Sequence, residues 1–468
     1  MDFRRDTVAE LARRVREREV TAVDMVTHAL AQIDQLNPLI NAFVSVDADA
    51  ALTAAGDIDQ RIAAGQPVGP LAGVPMGVKD LEDAAGFITT FGSDLHTDDP
   101  PAPGDSAVVG LLKAAGAVVV GKTNTPEFGF KGVTDNVPFG ATANPWDTRR
   151  SPGGSSGGSG AAIASGMVPL ATGSDGGGSI RIPSSLCGLT GIKTSQGRVP
   201  LGGATPPGSG ILSVKGPMAR RIRDVALALD TCLVPDPTDV FGFPAPAEAW
   251  TPQLVGDLRP GRVAWSPDLG FARVDREVAA IVEAAVRALE AAGTEVVEAP
   301  PVFADNPTLD WFTIWTTQRR KAQGHLKGTP DWLRIDPALR DQIEYAERLT
   351  AVDLARAIDG AHLHNLALEA AFAATAAPLL LCPTVAGHAP VLGHLGTVDG
   401  EETVSWVEFT PVINLTRNPA GSVCAGFTAD GLPVGLQVIG RQRDDLGVLR
   451  ALAGIEDLLG IDRIAPVG

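Results

Sequence analysis

Positive charge is scarce in this chain of 468 residues: 38 lysines and arginines face 55 aspartates and glutamates, a net charge of −17. Such a balance repels nucleic acid and anionic membrane, and it points to a ligand that is small and not polyanionic. Cysteine is sparse as well. Cys187, Cys232, Cys382 and Cys424 are widely spaced, form no C-x-x-C pair and sit in apolar neighbourhoods, so they are expected as buried free thiols of a reducing compartment. Long apolar runs are missing too. The most apolar, Ala370 to Cys382, is interrupted by Thr375 and Pro378 and is too short to span a bilayer. No apolar segment follows Met1-Asp2-Phe3-Arg4-Arg5-Asp6, so no secretory signal is expected and the cytoplasm is the expected compartment.

What is present is the composition of a globular protein. A hydrophobic content of 44% with 20% charged residues suffices for a large core and argues against disorder. The chain opens with helices, at Thr7-Val8-Ala9-Glu10 and Thr21-Ala22-Val23-Asp24, each read as a capping box, the second helix ending at Asn37-Pro38. Helical patterns then alternate with short β-branched runs. The helix Ala107–Ala115 precedes Ala117-Val118-Val119-Val120, and Val278–Ala292 precedes Glu295-Val296-Val297. Further on, Leu354–Thr375 precedes Leu379-Leu380-Leu381, and Val434–Ile439 precedes Leu446–Leu459. This alternation predicts an α/β fold: a mixed, mostly parallel sheet covered on both faces by helices. No segment reads as a linker, so one large domain over 1–468 is expected, with a helical N-terminal part over 1–65 and a variable region at about 235–345.

Two glycine-serine runs carry the chemistry: Ser151-Pro152-Gly153-Gly154-Ser155-Ser156-Gly157-Gly158-Ser159-Gly160 and Gly173-Ser174-Asp175-Gly176-Gly177-Gly178-Ser179-Ile180-Arg181. Flexible linkers share this composition. The apolar connector from Ala161 to Ala171 excludes that reading, because it must be buried and draws both runs toward the core. Dense glycine lets backbone N–H groups converge around a serine, which is how a nucleophile and an oxyanion hole are built.

Two motif matches fail on physical grounds. Gly116-Ala117-Val118-Val119-Val120-Gly121-Lys122-Thr123 fits a phosphate loop letter by letter, but Ala-Val-Val-Val prefers a strand and Asn124-Thr125-Pro126 follows where a helix is required. Gly154-Ser155-Ser156-Gly157-Gly158 fits a nucleophile elbow, yet a polar, proline-broken segment, Asn144 to Arg150, stands where the strand should be. The elbow also needs a histidine, and His325, His388 and His394 lie in segments without a signature. Lys79 is the alternative base. It ends the apolar strand Met76–Val78, where burial disfavours the ammonium and turns lysine into a proton acceptor.

Taken together, these elements resemble the amidase signature family. Its glycine-serine block stands at Gly153–Ser159, its Gly-Ser-Asp-x-Gly-Gly-Ser-Ile-Arg-x-Pro stretch at Gly173–Pro183, and its Gly-x-Pro-x-x-x-Lys-Asp pattern at Gly73–Asp80. The likeness runs from about Leu30 to Ile192 and resumes at Pro383-Thr384 and from Asn414 to Gly440. The resemblance implies a Ser-cis-Ser-Lys triad, with Ser179 as nucleophile, Ser155 as bridging serine behind a cis peptide bond, and Lys79 as base. It implies an oxyanion hole from the N–H groups of Gly176, Gly177, Gly178 and Ser179, and an acyl-enzyme resolved by water. No cofactor or metal is implied. The expected partner is a small-molecule amide, with esters and carbamates admitted by the same chemistry, and the chain is expected to act as a monomer or homodimer.

Two positions depart from the family pattern: Gly176, where relatives often carry Thr or Ile, suggesting a looser loop or a wider site, and Cys424, where a proline is often found. Asp175 and Arg181 are expected to tie the loop together. One branch of the family, which frees ammonia from glutamine within an amidotransferase complex, carries a tyrosine-rich segment before Lys-Ala-Gln. This chain has the single tyrosine Tyr345 and reads Trp311-Phe312-Thr313-Ile314-Trp315 before Lys321-Ala322-Gln323. With Phe128, Trp311 and Trp315 are expected to form a pocket for an aryl or apolar group, although an ordinary buried helix face fits the same pattern. The reading is therefore a stand-alone amidase for small neutral amides. Its rivals are a catalytically silent binding protein and the glutamine-hydrolysing component of an amidotransferase.

Overall fold

The computed structural model describes residues 1–202 and 210–467. Three helices open the chain, Val8–Arg16, Ala22–Ile40 and Ala48–Ala63. The first two are capped by Thr7 and Thr21, and at Thr21 both capping-box bonds to Asp24 form. The second helix continues past the expected stop to Ile40. Pro38 falls in its last turn, where Asn37 takes over: its Oδ1 accepts the N–H groups of Ala42 and Phe43, both at 2.8 Å, and Asn41 turns left-handed at φ 55°.

The strands in chain order are β1 (Phe43–Val46), β2 (Pro75–Lys79), β3 (Val118–Thr123), β4 (Leu170–Asp175), β5 (Gly191–Lys193), β6 (Val214–Ala219), β7 (Arg262–Trp265), β8 (Glu295–Glu298), β9 (Leu379–Pro383), the short hairpin β10 (Thr397–Val398) and β11 (Glu401–Glu402), β12 (Ala420–Phe427) and β13 (Pro433–Gly440). One sheet runs β1-β3-β2-β4-β6 and a second β5-β12-β13-β9-β7-β8. A bridge between Thr190 and Ala219 joins the start of β5 to the end of β6, so the two follow one another edge to edge. β7 and β8 of the expected variable region extend the second sheet at its far edge.

The sheets are mixed, but they are less parallel than the alternation suggested. β2 pairs in parallel with β3 and β4, and β7 with β8 and β9, while β1–β3, β4–β6, β5–β12, β12–β13 and β9–β13 are antiparallel. The cause is local. A tight turn at Thr428–Gly431 joins β12 to β13, and so short a connection permits only an antiparallel return.

Helices cover both faces of the second sheet, and the alternation of side chains shows it. Leu379 and Leu381 of β9 face the core shared with helices Ile222–Cys232, Arg276–Ala291 and Asp445–Leu459. Leu380 and Cys382 face the opposite core, with Leu368 and Phe372 of helix Ala351–Thr375. The phosphate-loop letters lie in β3, where Gly121 is required because a Cβ there would come within 2.2 Å of the Ser45 carbonyl oxygen. All four cysteines are buried and unpaired. Among the described residues no helix is long and apolar enough to cross a membrane.

The C-terminal ends of the parallel strands β2 and β4 deliver Lys79 and Asp175 to the same edge of the sheet. Leu436, fully buried in the middle of β13, tests the packing behind that edge. Leu436→Ala is expected to cost about 2–5 kcal/mol, read as a lower urea midpoint with unchanged slope; a loss under about 1 kcal/mol would place β13 outside the core.

Candidate active site

Lys79 is wholly buried at the end of β2, its backbone N–H donating to Thr172 Oγ1 of β4 at 2.9 Å. Its Nζ donates to Ser155 Oγ and Ser156 Oγ at 2.8 Å each and to Ser174 Oγ at 2.9 Å. Three neutral hydroxyls thus take the three ammonium protons, and no carboxylate touches the amine. Burial pushes Lys79 down to about 7, against the opposing pull of Glu82 and Asp175. Near neutral pH a large fraction is therefore free amine, with a lone pair available to one of those hydroxyls.

The first glycine-serine run delivers two of them. The Gly154–Ser155 peptide bond is cis. A Cβ at Gly154 would lie 2.6 Å from the Val133 carbonyl oxygen, and one at Gly158 would lie 2.3 Å from the Asn124 backbone nitrogen. These glycines are there because backbone packs on backbone. Ser156 precedes the helix Gly157–Ser165, and its N–H donates to the Ser179 carbonyl at 3.3 Å, setting the two runs side by side.

The second run is held by charge. Asp175 accepts the Gly178 N–H at 2.7 Å and the Ile180 N–H at 3.3 Å, and pairs with Arg181 at 2.9 and 3.0 Å. Arg181, also wholly buried, reaches Gln437 Oε1 at 2.7 Å, Asn414 Oδ1 at 2.6 Å and the Thr410 carbonyl at 3.0 Å. Burial acts to raise the Asp175 carboxyl, but the Arg181 guanidinium outweighs it and holds the group down at about 2. The expected structural role of this pair is what the geometry displays.

Ser179 is partly exposed, in contrast to buried Ser155, and its hydroxyl has no hydrogen-bond partner among the described residues. The N–H groups of Gly176, Gly177 and Ser179 are likewise unpaired among the described residues. Gly178 departs from expectation: its N–H is committed to Asp175, which removes it from the set of oxyanion donors. Its role is conformational, since φ is +123° and a Cβ would lie 2.2 Å from Thr410 Oγ1.

The aromatic groups divide. Trp311 is partly exposed, stacks on Trp315 with centroids 5.1 Å apart, and donates its Nε1–H to the Gly176 carbonyl at 2.8 Å. Trp315 is 6% exposed and donates to Gln342 Oε1 at 3.2 Å, so it backs Trp311 instead of lining an opening. Phe128 is partly exposed and stacks on Phe91 at 6.1 Å. Gly176 neither loosens the loop nor widens the site. A Cβ there would meet Ser213 Oγ at 2.6 Å and the Trp315 ring at 2.9 Å, so Ser213 and Trp315 already occupy the volume that a side chain at this position would need. Cys424 stands beside a bulge between Cys424 and Gly426, an irregularity of the kind where proline is tolerated.

The three histidines weighed as partners of an elbow serine are engaged elsewhere or exposed. His388 pairs with Asp275 at 3.1 Å and His394 with Glu402 at 3.0 Å, and His325 is exposed. Among the described residues no three His, Cys, Asp or Glu side chains converge as metal ligands. Sequence reasoning missed Ser156 and Ser174 as partners of Lys79, and Asn414, Gln437 and Thr410 as partners of the ion pair. Both serines lie inside the quoted runs; Asn414 and Gln437 lie inside the resembling stretch from Asn414 to Gly440 without any sign of what they bind, and Thr410 lies outside every quoted segment.

The family model for Amidase matches residues 24–449. The chain is 37% identical over 463 residues to an acylamidase of Rhodococcus erythropolis, covering 96% of this chain and 94% of that one. It is 34% identical over 463 residues to the 2-amino-5-chloromuconic acid deaminase of Comamonas testosteroni, covering 97% of this chain and 96% of that one. The glutamine-dependent branch is similar as well: the glutamyl-tRNA(Gln) amidotransferase component of Chloroflexus aggregans is 35% identical, covering 92% of each chain. Among solved structures the chain is similar to a bacterial aryl acylamidase of the amidase signature enzymes, with a TM-score of 0.92 at 27% identity over 99% of this chain and 98% of that one.

The ion pair generates a test. Arg181→Met leaves Asp175 buried without a counter-charge and is expected to cost about 3–5 kcal/mol of stability, measured by urea unfolding. An unchanged midpoint would show that the pair does not hold the loop.

Proposed function

Because the chain belongs to the amidase signature family of hydrolases acting on amide C–N bonds, we propose that it is a stand-alone amidase for small neutral amides with an aryl or apolar group, esters and carbamates included. The observation that carries the reading is the buried Lys79 amine, pushed down to about 7 and bonded to Ser155 beside the partly exposed Ser179.

In this reading neutral Lys79 takes a proton from Ser155 as Ser155 takes one from Ser179, whose Oγ attacks the amide carbonyl. The relay needs one contact that the resting arrangement does not make, Ser155 Oγ to Ser179 Oγ; such contacts tighten when substrate binds. The oxyanion is received by the unpaired N–H groups of Gly176, Gly177 and Ser179. The proton then returns along the relay to the leaving amine, and water resolves the acyl-enzyme. Trp311 and Phe128 supply the apolar walls, with Trp315 behind Trp311. The name of the Rhodococcus relative and that of the structural neighbour, an aryl acylamidase, support this substrate class. The proposed enzyme works in the cytoplasm as a monomer or homodimer, where its four buried thiols stay reduced.

Ser179→Ala is expected to abolish turnover of an anilide with the fold intact, and a fluorophosphonate to label Ser179; more than a few per cent residual activity, or label on Ser156, rejects the assignment. The pH profile gives a second measurement. As pH falls through about 7, Lys79 takes up a proton and ceases to act as base, so kcat/KM should fall on an acid limb with an apparent pKa of about 7. Lys79→Ala should remove that limb and cost on the order of 10²–10⁴ in rate. For the pocket, wild type should prefer the anilide to glutamine, and Trp311→Ala should lower the anilide kcat/KM by about 1–3 kcal/mol. Preference for glutamine would favour the amidotransferase reading.

A further inference from the structure

A polar cavity of about 370 Å³ lies at the strand ends of the second sheet, apart from the strands that carry Lys79 and Asp175. Its floor is Ser195 and Gln196, just beyond the end of β5, and its walls include Arg417, which follows the helix Pro411–Thr416, and Arg443, which follows β13. Phe241 and Phe243 close the outer side. β5 and β13 belong to the second sheet, whereas Lys79 and Asp175 end strands of the first, so the cavity and the Asp175–Ser179 loop are built on different sheets.

Three independent features make this cavity unusual. First, neither Arg417 nor Arg443 has a hydrogen bond or a carboxylate partner among the described residues; each guanidinium rests only on an aromatic ring, Arg417 over Phe241 at 5.9 Å and Arg443 over Phe243 at 4.8 Å. A third guanidinium nearby, Arg198, shows what an ordinary arginine does here: it pairs with Asp445 at 3.1 Å. That carboxylate also accepts the Ser195 N–H at 2.6 Å, and Asp239 spends its oxygens on the N–H groups of Leu201 and Phe241, so the neighbouring acids are engaged. In a chain of net charge −17, two unpaired cations on one cavity are a local inversion of sign. Second, both arginines hold φ at +67°, Arg417 as the left-handed cap that ends the helix Pro411–Thr416, a backbone uncommon for residues that carry a side chain. Third, Gln196 is 6% exposed with both amide atoms unpartnered, and the Ser195 hydroxyl is buried and unpartnered as well. Buried polar groups are paired in the great majority of cases, and those left over on a cavity floor mark the atoms a ligand would satisfy.

Two guanidinium groups, an amide N–H2 and a hydroxyl form a donor set that matches an oxyanion, and the amide oxygen of Gln196 adds one acceptor for a protonated group next to it. We propose that this cavity is a binding site for a small molecule bearing a carboxylate or a phosphate, separate from the hydrolytic site. The bound anion is held by Arg417 and Arg443 and seated on Ser195 and Gln196.

The test is calorimetric titration of the full chain at fixed ionic strength with inorganic phosphate alone and with malonate alone. Saturable binding is expected for at least one. Arg443→Gln, on an exposed loop, and Arg417→Gln should each weaken it by about tenfold or more, the loss of one charge-assisted pair, while anilide hydrolysis, the check on folding, stays unchanged. Binding of phosphate only assigns a phosphate-bearing ligand, malonate only a carboxylate, and both a general oxyanion site. Absence of saturable binding by either probe overturns the proposal, as does binding that survives Arg443→Gln at full strength.

Discussion

The buried ion pair between Asp175 and Arg181 is the constraint on which the site depends. It closes the turn from β4 into the helix Arg181–Leu186. It also ties the two sheets together, alongside the Thr190–Ala219 bridge, because Arg181 reaches Gln437 of β13 and Asn414 reaches both the carboxylate and the carbonyl of Asp175. A charge removed from water is costly unless its partners satisfy it, and here they come from two distant stretches of chain, Thr410 and Asn414 at the helix Pro411–Thr416 and Gln437 in β13. Ser179 is therefore held between two anchored residues. Its loop peptides are fixed as well: the Gly176 carbonyl is bound by Trp311 and the Gly177 carbonyl by Thr410 Oγ1 at 2.7 Å, which aims the following N–H groups the opposite way.

The fold was largely legible because its signals are periodic. Helices and strands of the later half appear within a few residues of their expected places, β9 at Leu379–Pro383 and the last helix at Asp445–Leu459 among them. What escaped was pairing. The hairpin β12–β13 is signalled only by Asp430-Gly431 in its turn, which helix–strand alternation does not register, and three glycine-centred contacts bring in its neighbours: Gly421 against Leu452, Gly435 against Ser185, and Gly440 against Val448. The same holds for the end of the helix Ala22–Ile40. Proline composition said stop, but the Asn37 side chain bonds that hold the final turn are made by residues beyond it.

In the site, identity was legible and environment was not. Lys79 was found from its place in a motif, yet burial alone does not single it out, since Lys193 is also wholly buried and is also pushed down to about 7, by burial and by Arg181. The difference is in the partners. Lys193 Nζ donates to one carbonyl, that of Thr194 at 3.1 Å, whereas Lys79 faces three hydroxyls that can give up a proton. The motif separates these two lysines, but nothing local to either predicts the partners each one meets. Gly176 makes the same point from the other side: as a letter it reads as freedom, and in the fold it is the cavity into which Trp315 packs.

Depth orders the proposed chemistry. Lys79 is 0% exposed, Ser155 is 2%, and Ser179 opens partly outward, so water reaches the nucleophile's side of the relay and is kept from its base. The two demands conflict in principle, because a lysine that solvent reaches would regain its proton, and a serine that solvent cannot reach would meet no substrate. A relay through an intermediate hydroxyl reconciles them: the bridging serine spans from the dry interior, where the amine can be neutral, to the surface of the cleft, where the carbonyl arrives. Its place between those environments gives the second serine a physical reason to exist.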